Sequence, residues 1–288
     1  MVDIKKNIPL APLCTLGIGG NASYFAEAYD IEQLQYLFTW CKENDKSFLI
    51  LGKGSNCLFD DRGFNGLVIL NKIQYNKQKD NFFEVGAGYS FPLLGQQTAR
   101  KGFSGLEFAA GIPATVGGAV FMNAGANKQE IADTLFSVDY LFANGHLVTF
   151  LKEELAFEYR KSPFQKMKGA IVGATFKLVS STTAKETQRK IVDYRLKTQP
   201  YGSKSAGCIF CNPSLEVSAG KLIEQCGLKG LNIKGAAVSE KHANFLINKD
   251  HSTAADMLSL IDHVKSEVAD KTGIQLKTEV RYIPYEHD

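Results

Sequence analysis

The sequence predicts an α+β fold built from three consecutive units. Three observations carry this. Strand-like and helix-like segments alternate in every third of the chain. An Asn144-Gly145 pair marks a tight hairpin in the middle third. Three glycine-rich runs are split between the first two of these units, one of them directly after a strand-like segment. At 288 residues the chain is long for one hydrophobic core, and the divisions fall at 1–70, 71–182 and 183–288.

In the first unit, "ASYFAEAY" (22–29) reads as a strand. Asp30 then caps a helix, with Gln33 three residues on and an apolar stripe of Ile31, Leu34, Leu37, Phe38 and Cys41. "SFLIL" (47–51) and "GLVIL" (66–70) are short buried strands. The second unit opens with the strand "FFEVGAG", followed by a helix from Ser90 to about Lys101 and then a long glycine-rich run. The hairpin "SVDYLFANGHLVTF" and the strand "AIVGATFKLV" (170–179) complete it, and "SSTTAKE" (180–186) reads as a linker. The third unit holds a helix ending near Lys197, a short helix around 220–226 and the strand "NFLIN". A longer helix follows at about 254–272, capped by Ser252 or Thr253, and "IQLKTEVRYI" is the closing strand.

Composition narrows the function. Hydrophobic residues make up 44% and charged residues 22%, as in an ordinary soluble protein. A net charge of +3 without a Lys/Arg block argues against nucleic acid as a partner. "MVDIKKNIPL" has no apolar core of signal-peptide length. The uncharged run from Phe108 has the length of a membrane span, but its glycines, proline and asparagines read as a buried loop region, not a membrane segment. Six cysteines without a secretion signal indicate reduced thiols and a cytoplasmic location. No obligate protein partner is evident.

The glycine runs point to a phosphate-bearing ligand. "LILGKGSNCLF" places Gly52 and Gly54 directly after a strand, with Ser55 and Asn56 adding donors. Two familiar motifs fail. A dinucleotide fingerprint needs a third glycine where Cys57 stands, and a P-loop needs a terminal Lys-Ser/Thr pair. "GIPATVGGAVFMNAGA" (111–126) and "TLGIGG" (15–20) have the same character. One such run is usually only a turn. Three of them favour an extended diphosphate ligand shared by the first two units.

Six motifs in order, "LGKGSNCLF", "GIPATVGGAVFMNAGA", "YRKSPF", "AGCIFCNP", "KHANFLIN" and "KTEVRYI", closely resemble the UDP-N-acetylenolpyruvoylglucosamine reductase family. The resemblance implies a two-part FAD-binding region of the vanillyl-alcohol-oxidase (PCMH) type, then a C-terminal α+β substrate domain. The short distance from "AGCIFCNP" to "KHANFLIN" is similar to the family's shorter class, which lacks an extra substrate-covering loop. The implied enzyme uses non-covalent FAD, takes hydride from NADPH and reduces an enolpyruvyl UDP-sugar in peptidoglycan synthesis. The implied FAD contacts are Gly52, Gly54, Ser55, Asn56, Gly111, Thr115, Gly117, Gly118, Ala119 and Asn123. Ala114 stands where the family usually has glycine, which is harmless unless φ is positive or the cofactor approaches closely.

The resemblance also implies the catalytic residues. Arg160, in "YRKSPF", has a planar fork suited to a carboxylate; without the motif it would read as a surface arginine. Glu279 would sit in the closing strand, where alternation puts Lys277, Glu279 and Arg281 on one face, a pattern equally suited to a solvated edge. Tyr159, Asn212, Lys241, His242 and Asn244 fall at substrate-side positions.

The pair Cys208-x-x-Cys211 has three readings. Cys208, Cys211, Cys226 and His242 can be written as a zinc set, although the last two are far apart in sequence. A redox dithiol would usually open a helix, whereas Asn212-Pro213 follows here. In the resembled family the position of Cys208 is usually the serine that protonates the substrate, and that of Cys211 is commonly lysine. On this third reading, Cys208 is the acid and no metal is needed. Two other functions stay open at this stage: an FAD-dependent oxidase of the same fold, and a non-catalytic nucleotide-binding module with a zinc-stabilised C-terminal domain.

Overall fold

The computed structural model describes residues 2–286. The outermost ends of the expected divisions, Met1 and 287–288, lie outside it. Mixed helices and strands make the protein α+β, as the sequence predicts. The chain forms two compact units. One contains Phe25–Lys53 and Leu67–Arg195, with the N-terminal residues as far as Lys5. The other contains Lys6–Tyr24, Gly54–Gly66 and the chain from Leu196 onward. The chain passes from one to the other inside the strands Asn21–Ala28 and Gly63–Asn71.

In the first unit, helix α1 (Ile31–Glu43) begins at Asp30, whose carboxylate accepts the Gln33 N–H at 2.7 Å. The Gln33 side chain returns the bond one residue earlier than a capping box would, to the Tyr29 N–H at 3.0 Å. Leu34, Leu37, Phe38 and Cys41 form its buried stripe. Strand Phe48–Leu51 pairs in parallel with Leu67–Leu70. A five-stranded sheet follows in the order Leu147–Leu151, Leu135–Phe142, Gly169–Lys177, Phe82–Gly86, Asn76–Lys79. Its first two strands are the expected hairpin, closed where the Gly145 N–H donates to Phe142 O at 2.9 Å. Helices α2 (Phe91–Arg100) and α3 (Val116–Phe121) add Phe91, Leu94, Val116 and Val120 to a core that includes Phe83, Val138, Tyr140, Phe164 and Phe176.

Two expectations need correction here. The glycine-rich run is not simply a loop, because it contains α3. The "linker" 180–186 is short of being one. Val179–Ser180 pairs with Phe103–Ser104, and helix α4 (Ala184–Thr198) has started by Ala184.

In the second unit, an antiparallel sheet runs Ser205–Cys208, Phe245–Asn248, Ala236–Val238, Asn232–Ile233. Helix α5 is Ala219–Gln225. Helix α6 (Ala254–Thr272) is capped by Thr253, which exchanges bonds with Asp256, and ends on Gly273 at φ 74°. It buries Met257, Leu260, Ile261, Val264 and Val268. The closing strand is shorter than its sequence predicts. Only Arg281–Ile283 is regular, paired in parallel with Cys57–Phe59. Before it, the chain crosses residues 209–211: Cys211 N–H donates to Lys277 O at 2.9 Å, and Glu279 N–H to Ile209 O at 2.7 Å. The Val280 N–H turns to the same Ile209 oxygen at 3.4 Å. Two successive N–H groups on one acceptor interrupt the regular two-residue alternation before Arg281.

Candidate active site

In the first unit, Gly52 follows the strand Phe48–Leu51, and a methyl group there would collide with the Thr115 hydroxyl. Thr115 caps α3, accepting the Gly118 N–H at 3.3 Å. Gly117 donates to Ala87 O at 2.8 Å and would bring a Cβ to 2.9 Å from that of Ala87. Glycine is required there because two backbone segments meet closely. Ala119 is buried, and Gly111 has φ 86°. Ala114 is absent from the positive-φ residues, so its methyl group does not strain the backbone; its N–H is already given to Ile112 O at 2.7 Å.

Asn123 lies deeper than its expected cofactor role implies. It is fully buried, donates to Glu158 O at 3.0 Å and accepts the Ala132 N–H at 3.1 Å. It thereby fastens the end of α3 to the turn that carries Tyr159 and Arg160. Glu158 and Lys161 exchange backbone bonds across this turn, at 3.2 and 2.9 Å. Arg160 sits at φ 59°, a region that an arginine seldom occupies. Its guanidinium donates to Gly125 O at 2.9 Å and lies 4.8 Å from the exposed Tyr159 ring. Phe164 anchors the following residues by stacking on buried Tyr140 at 5.3 Å. Backbone strain held by surrounding packing is a feature of working sites.

In the second unit, Gly54 has φ 62°, and a side chain there would strike Leu13 O and come within 2.7 Å of Cys14 Cα. Ser55 and Asn56 form a turn before Cys57–Phe59. Asn56 is bound to the other end of the chain: its amide donates to Glu279 O at 3.2 Å, and its carbonyl accepts the Arg281 N–H at 3.0 Å. The half-buried Cys208 ends the strand Ser205–Cys208 and pairs with Phe245. The next residue, Ile209, accepts from Glu279. This unit therefore brings together the Gly54–Asn56 turn, the residue after Cys208 and the Glu279 backbone through backbone bonds and the Asn56 amide.

Asn244 supports that arrangement from below. It is 2% exposed, and its amide pairs with both polar groups of Phe210, accepting its N–H at 3.0 Å and donating to its O at 2.9 Å. One N–H and one lone pair of that amide are thus committed to Phe210. Asn212 is exposed and accepts the Ala219 N–H at 3.0 Å. Lys241 reaches Leu196 O at 2.6 Å. His242 accepts the Asn244 N–H at 3.3 Å, and burial pushes its imidazole pKa down.

A family model described as an FAD binding domain matches residues 22–151. A second, described as the C-terminal domain of UDP-N-acetylenolpyruvoylglucosamine reductase, matches residues 199–283. The chain is 55% identical over 283 residues to the UDP-N-acetylenolpyruvoylglucosamine reductase of Protochlamydia amoebophila, covering 98% of this chain and 94% of that one. The chain belongs to the UDP-N-acetylenolpyruvoylglucosamine reductase family. The enzyme of that name from Chlamydia muridarum is 46% identical, with 99% and 96% coverage. The crystal structure of the UDP-N-acetylenolpyruvylglucosamine reductase from Thermus caldophilus superposes with a TM-score of 0.82 at 37% identity, covering 99% of both chains.

Family membership makes the protein an FAD-containing oxidoreductase and sets aside the non-catalytic module. Among the described residues, no group of three or more His, Cys, Asp and Glu side chains is placed to hold a metal, so the zinc set has no support. No described helix is long and apolar enough to cross a membrane. The donor set suits FAD. The turn at Ser55–Asn56 offers polar groups beside glycine. The Thr15 hydroxyl, on the residue whose N–H donates to Gly54 O at 3.2 Å, is buried with no hydrogen-bond partner among the described residues. A buried hydroxyl of this kind asks for a partner, which a diphosphate or ribose oxygen would supply.

The structure also draws in Gln165, which the sequence reading passed over. Nothing in "YRKSPFQK" marks that glutamine, because its role is a contact with backbone oxygens and carries no motif.

Proposed function

We propose that the protein reduces the enolpyruvyl group of a UDP-N-acetylglucosamine ether, with NADPH as hydride donor, to give UDP-N-acetylmuramate in the cytoplasm. The observation that carries this reading is the junction of Cys208 and Glu279 in a chain whose relatives bear the reductase name. FAD, when bound, supplies hydride transfer from the nicotinamide to the β-carbon of the ether.

The protein's residues do the rest. Gly52, Gly54, Ser55, Asn56 and the 111–123 segment hold the cofactor non-covalently. The Arg160 guanidinium binds the substrate carboxylate and stabilises the negative charge that spreads into it from the α-carbon. The Cys208 thiol gives its proton to the α-carbon, and solvent reprotonates the thiolate. Glu279 assists at the same stage, donating a hydrogen bond to the developing enolate if protonated or orienting Arg160 if ionised. Tyr159, Asn212, Lys241 and His242 line the nucleotide-sugar side, whereas Asn244 acts through Phe210. Residues 1–182 serve the cofactor and 183–288 the substrate.

The test is product analysis with purified protein. NADPH and the enolpyruvyl UDP-sugar should give the lactyl ether with one NADPH consumed per turnover, and acid precipitation should release yellow flavin to the supernatant. Colour retained in the pellet, or NADPH oxidation indifferent to the sugar, would favour an oxidase.

A further inference from the structure

We infer that Gln165 is a positioning residue for Arg160, acting with Asn123 to fasten the Arg160 turn to the end of helix α3. The inference rests on the catalytic reading of Arg160 given above. Gln165 is exposed, yet its amide N–H groups are committed to the backbone. It donates to Arg160 O at 3.1 Å and to Phe121 O at 2.9 Å, and lies 3.7 Å from Met122 Sδ. Phe121 O also accepts the Ser162 hydroxyl at 2.7 Å.

Phe121 is the last residue of α3, where helix carbonyls lack partners within the helix. Here the partners are side chains from the Arg160 loop. Asn123 adds the bond to Glu158 O at 3.0 Å from beneath the turn, and the Arg160 guanidinium adds its own to Gly125 O. Four of these bonds join residues 121–125 to 158–165, and the fifth ties Gln165 to Arg160 within the loop.

An arginine at φ 59° leaves that conformation unless its surroundings hold it. A guanidinium on a long flexible stem is useful only when its backbone is fixed, because misplacement of a charged group by an ångström weakens transition-state stabilisation. Gln165 grips the Arg160 carbonyl itself, and as a surface side chain it contributes little to the fold. Its effect should appear in catalysis more than in stability. The same helix α3 opens in the segment proposed to hold FAD, so one short element connects the cofactor segment with the arginine.

The test compares Gln165→Met, which keeps shape but loses both donors, with Gln165→Lys, which keeps a donor. Gln165→Met should bind flavin fully and react with NADPH at the wild-type rate, but be reoxidised by the enolpyruvyl sugar about tenfold more slowly. Gln165→Lys should recover most of that loss. In an Arg160→Ala background, Gln165→Met should add nothing. Equal slowing of both half-reactions, or an undiminished effect without the guanidinium, would overturn the inference.

A second readout needs no substrate. Hydrogen exchange at the Glu158 and Lys161 amides should quicken in Gln165→Met, and unchanged protection would refute the tether even in an active enzyme. Wild-type protein with no enolpyruvyl reductase activity would instead remove the functional reading, with the exchange result still deciding the tether.

Discussion

The backbone N–H of Glu279 donates to the carbonyl of Ile209 at 2.7 Å, one residue beyond Cys208. This bond joins the C-terminal segment to the cysteine strand without using either reactive side chain. Cys208 and Glu279 thus keep a fixed backbone relation.

Cys208 should be the proton donor and Cys211 dispensable. A free thiol titrates near ~8.5, far below a serine hydroxyl, so it yields a proton to a carbanion-like centre more easily. Cys208→Ala should react normally with NADPH yet convert little sugar. Cys208→Ser should retain measurable turnover, and Cys211→Ser should resemble wild type. The readout is deuterium incorporation from solvent at the α-carbon in an anaerobic single turnover. Incorporation by Cys208→Ala at the parent rate would make the thiol a bystander.

Gly54 should be irreplaceable for flavin binding. Valine there would have to adopt φ 62° and meet Leu13 O. Gly54→Val should lose most of its flavin absorbance, whereas Ser55→Ala should keep more of it. Full occupancy in a folded Gly54→Val protein, checked by circular dichroism, would show that this turn is not the cradle.

Asn244 should matter for stability before it matters for binding. Asn244→Ala leaves the buried N–H and C=O of Phe210 unpaired, at a cost of about 2–4 kcal/mol. An unfolding free energy from urea titration within ~0.5 kcal/mol of wild type would contradict the clamp.

His242 gives the fold a pH dependence of known sign. Burial lowers its pKa in the folded state, so the unfolded chain binds the proton more readily. The resulting stability is complete above the ordinary histidine range, near ~6.5, and falls as pH drops through it. His242→Gln should lose less stability than wild type between about pH 7.5 and 5.5, read from urea midpoints at each pH. A parallel loss in both proteins would assign the dependence elsewhere.

Much of this was legible in the sequence where local chemistry and packing agree. The α6 helix shows its cap, its buried stripe and its terminal glycine in plain order. Helix α3 was hidden because Gly117 and Gly118 are poor helix formers; Thr115 and close packing on Ala87 hold it nonetheless. The break before Arg281 was hidden for a different reason. It depends on residues 209–211, some seventy positions earlier, and no local pattern records that crossing. The motifs located Arg160 and Cys208, but only the folded chain shows the left-handed turn of the one and the Asn244 support behind the other.

The most direct test of the central claim is anaerobic stopped-flow absorbance of the flavin in wild type, Arg160→Ala and Glu279→Gln. All three should be bleached by NADPH at similar rates. Recolouring by the enolpyruvyl sugar should then be slower by at least ~100-fold in both variants, because Arg160 and Glu279 act on charge that appears only at that stage. Recolouring of both variants at the wild-type rate, or equal slowing of bleaching and recolouring, would contradict the roles assigned to them.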